Sequence, residues 1–356
     1  MKRILLTEFL PEVGHANMFD NFYSLLSRNY KVRLMKARPY DNATDPAEIT
    51  YYKPVFKSRH LSRVDYLFYS INNIKKVIKV ANQENITTIV CVTYDEYALF
   101  LYSVFIPSWF KIFIMHNNNI DKFDRHSSSR LLFNVFKNRY NHIVLCGFMA
   151  DYLKNKYGLS NVIVWPHPLN PVDNTSEDKT IDCLGISNSN DEEMIDSFIK
   201  EEKLSHVFKD NNLKVLLRSK KQTFDNGYLT VITGKLDKND FDNLILHSKS
   251  ILISFPSTYY MRMSGTLVDA LSNNKFVFAS KSPLIEESKK EYPNIIKYLD
   301  VKMLYKDLLD IKYDSRSMEE FERFKLFHSD NNLSDIMNKT LLSAIKGETI
   351  QNTFDF

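Results

Sequence analysis

The sequence predicts an α/β protein made of two Rossmann-like domains, each built on a parallel sheet. Three observations carry that expectation. Apolar strand-like runs alternate with segments of helical period along the chain, the pattern of successive βαβ units. The length, 356 residues, is enough for two domains. A proline-rich break, Pro166-His167-Pro168-Leu169-Asn170-Pro171, runs into a polar stretch ending at Lys179 and divides the alternation near its middle. The expected domains are residues 1–168 and 180–330, followed by a helix and tail at 331–356.

The elements of the first half follow in order. Arg3–Thr7 reads as a strand. Ala16–Ser27 repeats apolar residues at Met18, Phe19, Phe22, Leu25 and Leu26, a helical period. Lys31–Met35 is the next strand, and Asn42–Tyr51, with Pro46 inside an Asn/Asp cluster, is a loop. A long amphipathic helix spans Leu61–Gln83, then a strand Ile86–Thr93 and a helix from Asp95. The segment Tyr97–Met115 is very apolar, but Pro107 and Lys111 interrupt it, so it fails the test for a membrane span and reads as a buried helix, a turn and a strand (Phe110–Met115). A helix at Ser127–Asn138, a strand at His142–Cys146, a helix at Met149–Lys156 and a strand at Asn161–Trp165 complete the domain.

In the second half, Cys183–Ser187, Leu213–Arg218, Leu229–Leu236, Ser250–Phe255 and Asn274–Ser280 read as strands with their turns. A helix opens at Asp237–Phe241. Another starts at Ser264-Gly265-Thr266. Ser317-Met318-Glu319-Glu320 matches a capping box, and a last helix covers Leu333–Lys346.

The bulk numbers bound the function. Net charge is +4 overall, with 47 Lys and Arg against 43 Asp and Glu, but it is divided unevenly. Residues 1–170 hold 22 basic and 13 acidic residues (+9), leaving 25 and 30 (−5) for residues 171–356. A basic first half suits an anionic partner such as a membrane surface, a lipid-linked phosphate or an acidic glycan; a solvated basic surface is the plain alternative. Cys91, Cys146 and Cys183 lie in or beside apolar runs without CxxC spacing, which points to reduced thiols in the cytoplasm. The apolar run at Ile4–Leu6 is too short for a signal peptide.

The most telling stretch is Tyr259-Tyr260-Met261-Arg262-Met263-Ser264-Gly265-Thr266-Leu267-Val268-Asp269-Ala270-Leu271, between two strands. Small residues where the helix starts expose backbone N–H groups at its positive end, an arrangement suited to phosphate or diphosphate. Arg262, just upstream, can add a bidentate contact. An ordinary capped helix is the other reading.

This region resembles the nucleotide-sugar half of GT-B glycosyltransferases, of the glycosyltransferase family 4 kind, and the match covers most of residues 180–346 in element order. The resemblance implies a GT-B fold, with a donor domain second, an acceptor domain first, a cleft that closes on binding and a tail that crosses back to the first domain. It implies that Ser264, Gly265 and Thr266 hold the donor diphosphate and that Asp269 grips the ribose. Gly185, in the first turn, and Arg218 and Lys220, after the second strand, would meet the diphosphate. Gly234, Lys235 and Leu236 would cup the base. The chain departs from the family where a Glu is usual and Met261 stands, and its second Glu is Asp269.

In the first domain, relatives carry His or His-Asn where His116-Asn117 closes a strand. His116 becomes a catalytic candidate for orienting a hydroxyl or moving a proton, with Asn117, Asp95, Gly14 and His15 as acceptor contacts. Asp95 serves equally as a helix N-cap, and Arg218 and Lys220 as a solvated charge run. No metal constellation and no cofactor are expected; an NDP-sugar of UDP or GDP type is the co-substrate. The implied activity is transfer of a sugar from an NDP-sugar to a glycan or lipid-linked acceptor, in the cytoplasm or peripherally at the inner membrane face, with no nucleic acid partner. The alternatives are a GT-B-type sugar-nucleotide epimerase and a non-catalytic two-lobed sugar-binding protein.

Overall fold

The computed structural model describes residues 2–8, 16–36, 49–51, 63–172 and 179–348. The chain divides into two compact units, one formed by residues up to Pro168 together with the segment from Asp330, the other by Leu169–Ser329.

The first unit holds β1 (Arg3–Glu8), α1 (Ala16–Ser27), β2 (Lys31–Lys36), β3 (Ile49–Tyr51), α2 (Arg63–Gln83), β4 (Thr88–Thr93), α3 (Glu96–Tyr102), β5 (Lys111–Met115), α4 (Asn119–Arg125), α5 (Ser127–Phe136), β6 (Asn141–Val144), α6 (Gly147–Tyr157) and β7 (Val162–Val164). The strand order is β3-β2-β1-β4-β5-β6-β7 and the pairings are parallel. Every residue of β4 is buried, as befits a parallel strand covered on both faces. The strand β3 falls at the end of the segment expected to be a loop. Its pairing with β2, Leu34 opposite Ile49, is a sheet-edge contact that three residues of local sequence do not announce.

The second unit holds β8 (Ile181–Gly185), α7 (Glu192–Ser205), α8 (Val207–Asp210), β9 (Val215–Arg218), β10 (Phe224–Asp225), β11 (Leu229–Ile232), α9 (Lys238–Leu246), β12 (Ser248–Ile253), α10 (Gly265–Ser272), β13 (Phe276–Ala279), α11 (Pro283–Glu291), β14 (Ile296–Tyr298), α12 (Leu304–Leu309) and α13 (Ser315–Phe327). Its order is β10-β11-β9-β8-β12-β13-β14, with only β10 antiparallel. The chain leaves β8 toward β9 on one side and β12 toward β13 on the other, so β8 and β12 flank the topological switch point, where open α/β sheets bind ligands.

The last helix, α14 (Asp330–Lys346), starts three residues earlier than expected and packs on α1 of the first unit. Trp165 Nε1 donates to Thr340 Oγ1 at 2.9 Å, and Arg28 pairs with Asp330 at 2.6 Å. The capping box expected at Ser317 is corrected. Asp314 caps α13 by accepting from Ser317 N at 2.9 Å, while Glu320 instead accepts from the amides of Asn294 and Ile295. The apolar segment 97–115 is a helix, a turn and a strand, but Leu101, Val104, Phe105 and Trp109 are exposed rather than buried. Among the described residues no helix is long and apolar enough to cross a membrane.

Candidate functional site

In the second unit, the ends of β8, β9 and β12 are clamped together. Asn190 Nδ2 donates to the carbonyls of Gly185 (2.7 Å) and Arg218 (3.0 Å), and Asp191 N donates to Ser254 O at 2.9 Å. Glu192 accepts from Ser219 Oγ at 2.6 Å and from Lys220 N at 2.9 Å. Three buried polar atoms in this unit, Asn190 Oδ1, Asn274 Oδ1 and Ser280 Oγ, have no hydrogen-bond partner; buried polar atoms left in this state are uncommon in native proteins.

The loop after β12 builds a stack. Tyr259 lies parallel to Phe255, with ring centroids 5.1 Å apart, and the Arg262 guanidinium sits 4.3 Å from the Tyr259 ring centroid. The helix α10 begins two residues beyond Met263. Ser264 is its N-cap, accepting from Leu267 N at 3.2 Å, as its sequence position predicts. Gly265 is exposed, and a Cβ placed there meets no atom within 4 Å. Thr266 follows it in the first turn, where amides lack carbonyl partners within the helix. Among the helices that follow a strand in this sheet, α10 alone has no acid in its first turn; α7, α9, α11 and α12 carry Glu192 and Glu193, Asp240, Glu286, and Asp307. The positive end of α10 is thus the one left for an external anion.

Asp269 lies on the same helix. Burial pushes its carboxyl up to about 6, against the lowering effect of a 2.9 Å hydrogen bond from Asn170 Nδ2. Asn273, one turn on, accepts from Val172 N at 2.8 Å. Asp269 and Asn273 therefore fasten the segment that enters the unit, a link no sequence spacing signals.

Other expected positions resolve differently. Gly185 was expected at a phosphate turn. A Cβ there would fall 2.7 Å from Leu217 Cδ2 and 3.3 Å from Leu252 Cδ2, so the glycine also allows close packing inside the sheet. Arg218 is half-buried and Lys220 exposed after β9. Gly234 has φ +97°, a left-handed turn that favours glycine; Lys235 is exposed and Leu236 half-buried beside it, before the α9 cap Asp237.

In the first unit the catalytic expectation for His116 is corrected. The ring is fully buried, with Nδ1 2.9 Å from Tyr94 Oη and Nε2 2.8 Å from His142 Nδ1. Burial holds His116 well below the ordinary imidazole range and brings His142 to about 4. A neutral, enclosed ring with both nitrogens engaged is a core residue. Asn117 is buried and donates to Val92 O at 3.0 Å; its Oδ1 has no hydrogen-bond partner. Asp95 is the N-cap of α3, accepting from Ala98 N at 2.8 Å, so the capping alternative describes its contact. Gly14 and His15 lie outside the described residues. The cysteines are free thiols, and burial pushes Cys183 up to about 12. Among the described residues no group of three or more His, Cys, Asp or Glu side chains is placed to hold a metal ion.

No family model matches this sequence, and no curated protein matches it. Solved structures do. A glycosyltransferase from Rickettsia africae superposes with a TM-score of 0.63 at 12% identity, covering 99% of this chain and 100% of that one. An S. aureus MnaA structure holding UDP gives 0.59 at 16%, covering both chains in full (100% and 100%). A UDP-N-acetylglucosamine 2-epimerase from Rickettsia bellii gives 0.58 at 11%, covering 98% of each. The fold is that of GT-B glycosyltransferases and 2-epimerases: two Rossmann-like domains on parallel sheets.

Proposed function

We propose that this chain is a glycosyltransferase that takes a sugar from an NDP-sugar of UDP or GDP type and passes it to a glycan or lipid-linked acceptor. The observation that carries the reading is the start of α10: an acid-free helix N-terminus with an exposed glycine, beside the switch point and next to a stacked arginine. A leaving diphosphate needs positive charge as the sugar–oxygen bond breaks, and preorganised amides and Arg262 supply it. The proposal assigns that stabilisation to the helix and the arginine, so transfer should persist in EDTA. Asp269 remains the ribose contact in this reading, reached by exchange of its hydrogen bond with Asn170. The setting proposed is the cytoplasm, peripheral to the inner face of a membrane.

A second reading is a sugar-nucleotide 2-epimerase, supported by the likeness to the Rickettsia bellii epimerase, whose TM-score of 0.58 stands close to the 0.63 of the glycosyltransferase. The experiment is direct. UDP and GDP are titrated calorimetrically, then UDP-sugar turnover is followed with and without acceptor. A transferase releases nucleoside diphosphate only when acceptor is present. An epimerase interconverts sugars without acceptor, and a sugar-only binder ignores both nucleotides.

A further inference from the structure

Every large apolar side chain exposed by the first unit, among its described residues, lies on one set of neighbouring elements. Phe68 is on α2, Leu101 on α3, and Leu131 and Val135 on α5. The turn and loop after α3 add Phe105, 70% exposed, and Trp109, 60% exposed. The helices α2 and α3 pack together, as do α3 and α5. Tyr97 Oη and Ser128 Oγ meet at 2.8 Å, and Arg139 Nη2 donates to Ile106 O at 2.7 Å, so α3, its loop and α5 form one surface. A cavity of about 250 Å³ adjoins it, lined in part by Ser108, Asn138 and Arg139. The exposed faces of α1, α6 and α14 carry no such side chain among the described residues.

Charge on the same surface leans basic, although α2 carries Asp65 one turn from Phe68. Residues 97–120 contain no Asp or Glu, nor do residues 125–150, which carry Arg125, Arg130, Lys137 and Arg139. A cluster of this composition demands an occupant. A second copy docking through the same face would set this predominantly cationic patch against itself, since a two-fold interface is self-complementary. An anionic bilayer matches both halves of the surface: aromatic rings settle at the interface between headgroup and chain, and cations meet lipid phosphates.

We propose that this face docks on anionic phospholipid, with Phe105 and Trp109 entering the interfacial layer and Arg130 and Arg139 contacting phosphates, Arg139 at the mouth of the adjoining cavity. The inference deepens the proposed reading by placing the chain where a lipid-linked acceptor resides; its test is independent of transfer. The full chain is sedimented with vesicles of phosphatidylcholine alone or mixed with phosphatidylglycerol. Binding is expected only to the mixed vesicles, with release in high salt. The chain has 2 Trp, and Trp165 is fully buried, so a blue shift of emission on vesicle addition reports Trp109.

The double variant Phe105→Ser/Trp109→Ser should bind mixed vesicles at least about tenfold more weakly, while keeping the wild-type thermal melt and UDP affinity. Equal binding to neutral and anionic vesicles, no binding by the folded wild type, or unchanged binding by the folded double variant overturns the proposal. A wild-type dimer that the double variant dissolves also overturns it and gives the face to a second copy. Loss of UDP binding with vesicle binding intact would instead remove the proposed function and leave this surface standing.

Discussion

At the carboxyl ends of β4 and β5 the first unit closes a polar chain inside its core, whereas beyond β12 the second unit leaves Gly265 exposed and Arg262 half-buried over Tyr259. In the closed chain the proton positions follow from its fixed end. The Lys137 carbonyl lies 2.8 Å from His142 Nε2, so that nitrogen carries the hydrogen and Nδ1 is bare. His116 Nε2–H then donates to His142 Nδ1, and Tyr94 Oη–H donates to His116 Nδ1. One proton per ring satisfies every contact, and a second on His142 would set its Nδ1–H against His116 Nε2–H. At α10 the reverse holds: Ser264 satisfies Leu267 N, and the first-turn amides of exposed Gly265 and half-buried Thr266 have no carbonyl partner within the helix. Two positions that look alike in sequence, each a polar residue following a strand, differ in whether their own fold has already answered their hydrogen bonds.

The largest expected effect tests the closed side. His116→Ala leaves a cavity among Phe123, Phe133 and Tyr94 and strips partners from two buried polar groups. It should cost about 3–5 kcal/mol of stability in urea denaturation, with UDP affinity of the folded protein unchanged. A stable variant that loses turnover would return His116 to the catalytic site.

Acid should move the two units in opposite directions. His142 has a folded pKa of about 4 against an ordinary 6.5, so between those values the unfolded state binds more protons. Stability present above pH 6.5 is lost as pH falls, by roughly 3 kcal/mol from this group, and His116 adds to it with the same sign. Asp269 is raised to about 6 from 3.8, so the folded state binds more protons in that interval and the second unit gains stability as pH falls through it. Both tryptophans, Trp109 and Trp165, belong to the first unit, so their emission follows its unfolding while circular dichroism follows both. Between pH 7.5 and 5 the fluorescence transition should shift to lower urea, and the two signals should separate. A fluorescence midpoint that does not move over this range would break the contrast.

These contrasts mark where sequence reasoning reached and where it stopped. The buried strands β4, β5 and β12 were legible because short continuous apolar runs between helical segments read as strands covered on both faces, and Ser264, with small residues behind it, announced the start of α10. The role of His116 was not legible, since it depends on Tyr94 and on His142, 26 residues away and brought alongside only by the β5–β6 pairing. Gly185 looked like a turn glycine, and only Leu217 and Leu252 showed what fills the space of its missing side chain. The Asn190 and Glu192 clamps were missed; the acid run Asp191-Glu192-Glu193 after a strand was their only signal, and it speaks first of a helix cap.

On the open side, Arg262→Ala removes a charge-assisted contact without touching the core. It should weaken UDP or GDP binding by about 1.5–3 kcal/mol, roughly tenfold to a hundredfold, with the melt preserved. Asp269→Asn keeps an acceptor for Asn170 and removes the buried charge. It should match the wild type near pH 4 and exceed it in stability near pH 8, while nucleotide affinity falls if the carboxylate holds the ribose.

The smallest change in stability is the sharpest probe. Gly265 sits at the first position of α10 with open space around its missing side chain, so alanine fits the free protein. Replacing glycine in a helix-compatible conformation restricts the unfolded chain and should raise stability by about 0.4–1 kcal/mol. The same methyl group would stand where a diphosphate oxygen must approach the helix amides. A variant that melts higher yet binds UDP or GDP more weakly ties the anion to this turn. Unchanged affinity in that more stable protein would mean the phosphates bind elsewhere, and the contrast between the closed and open strand ends would lose its functional meaning.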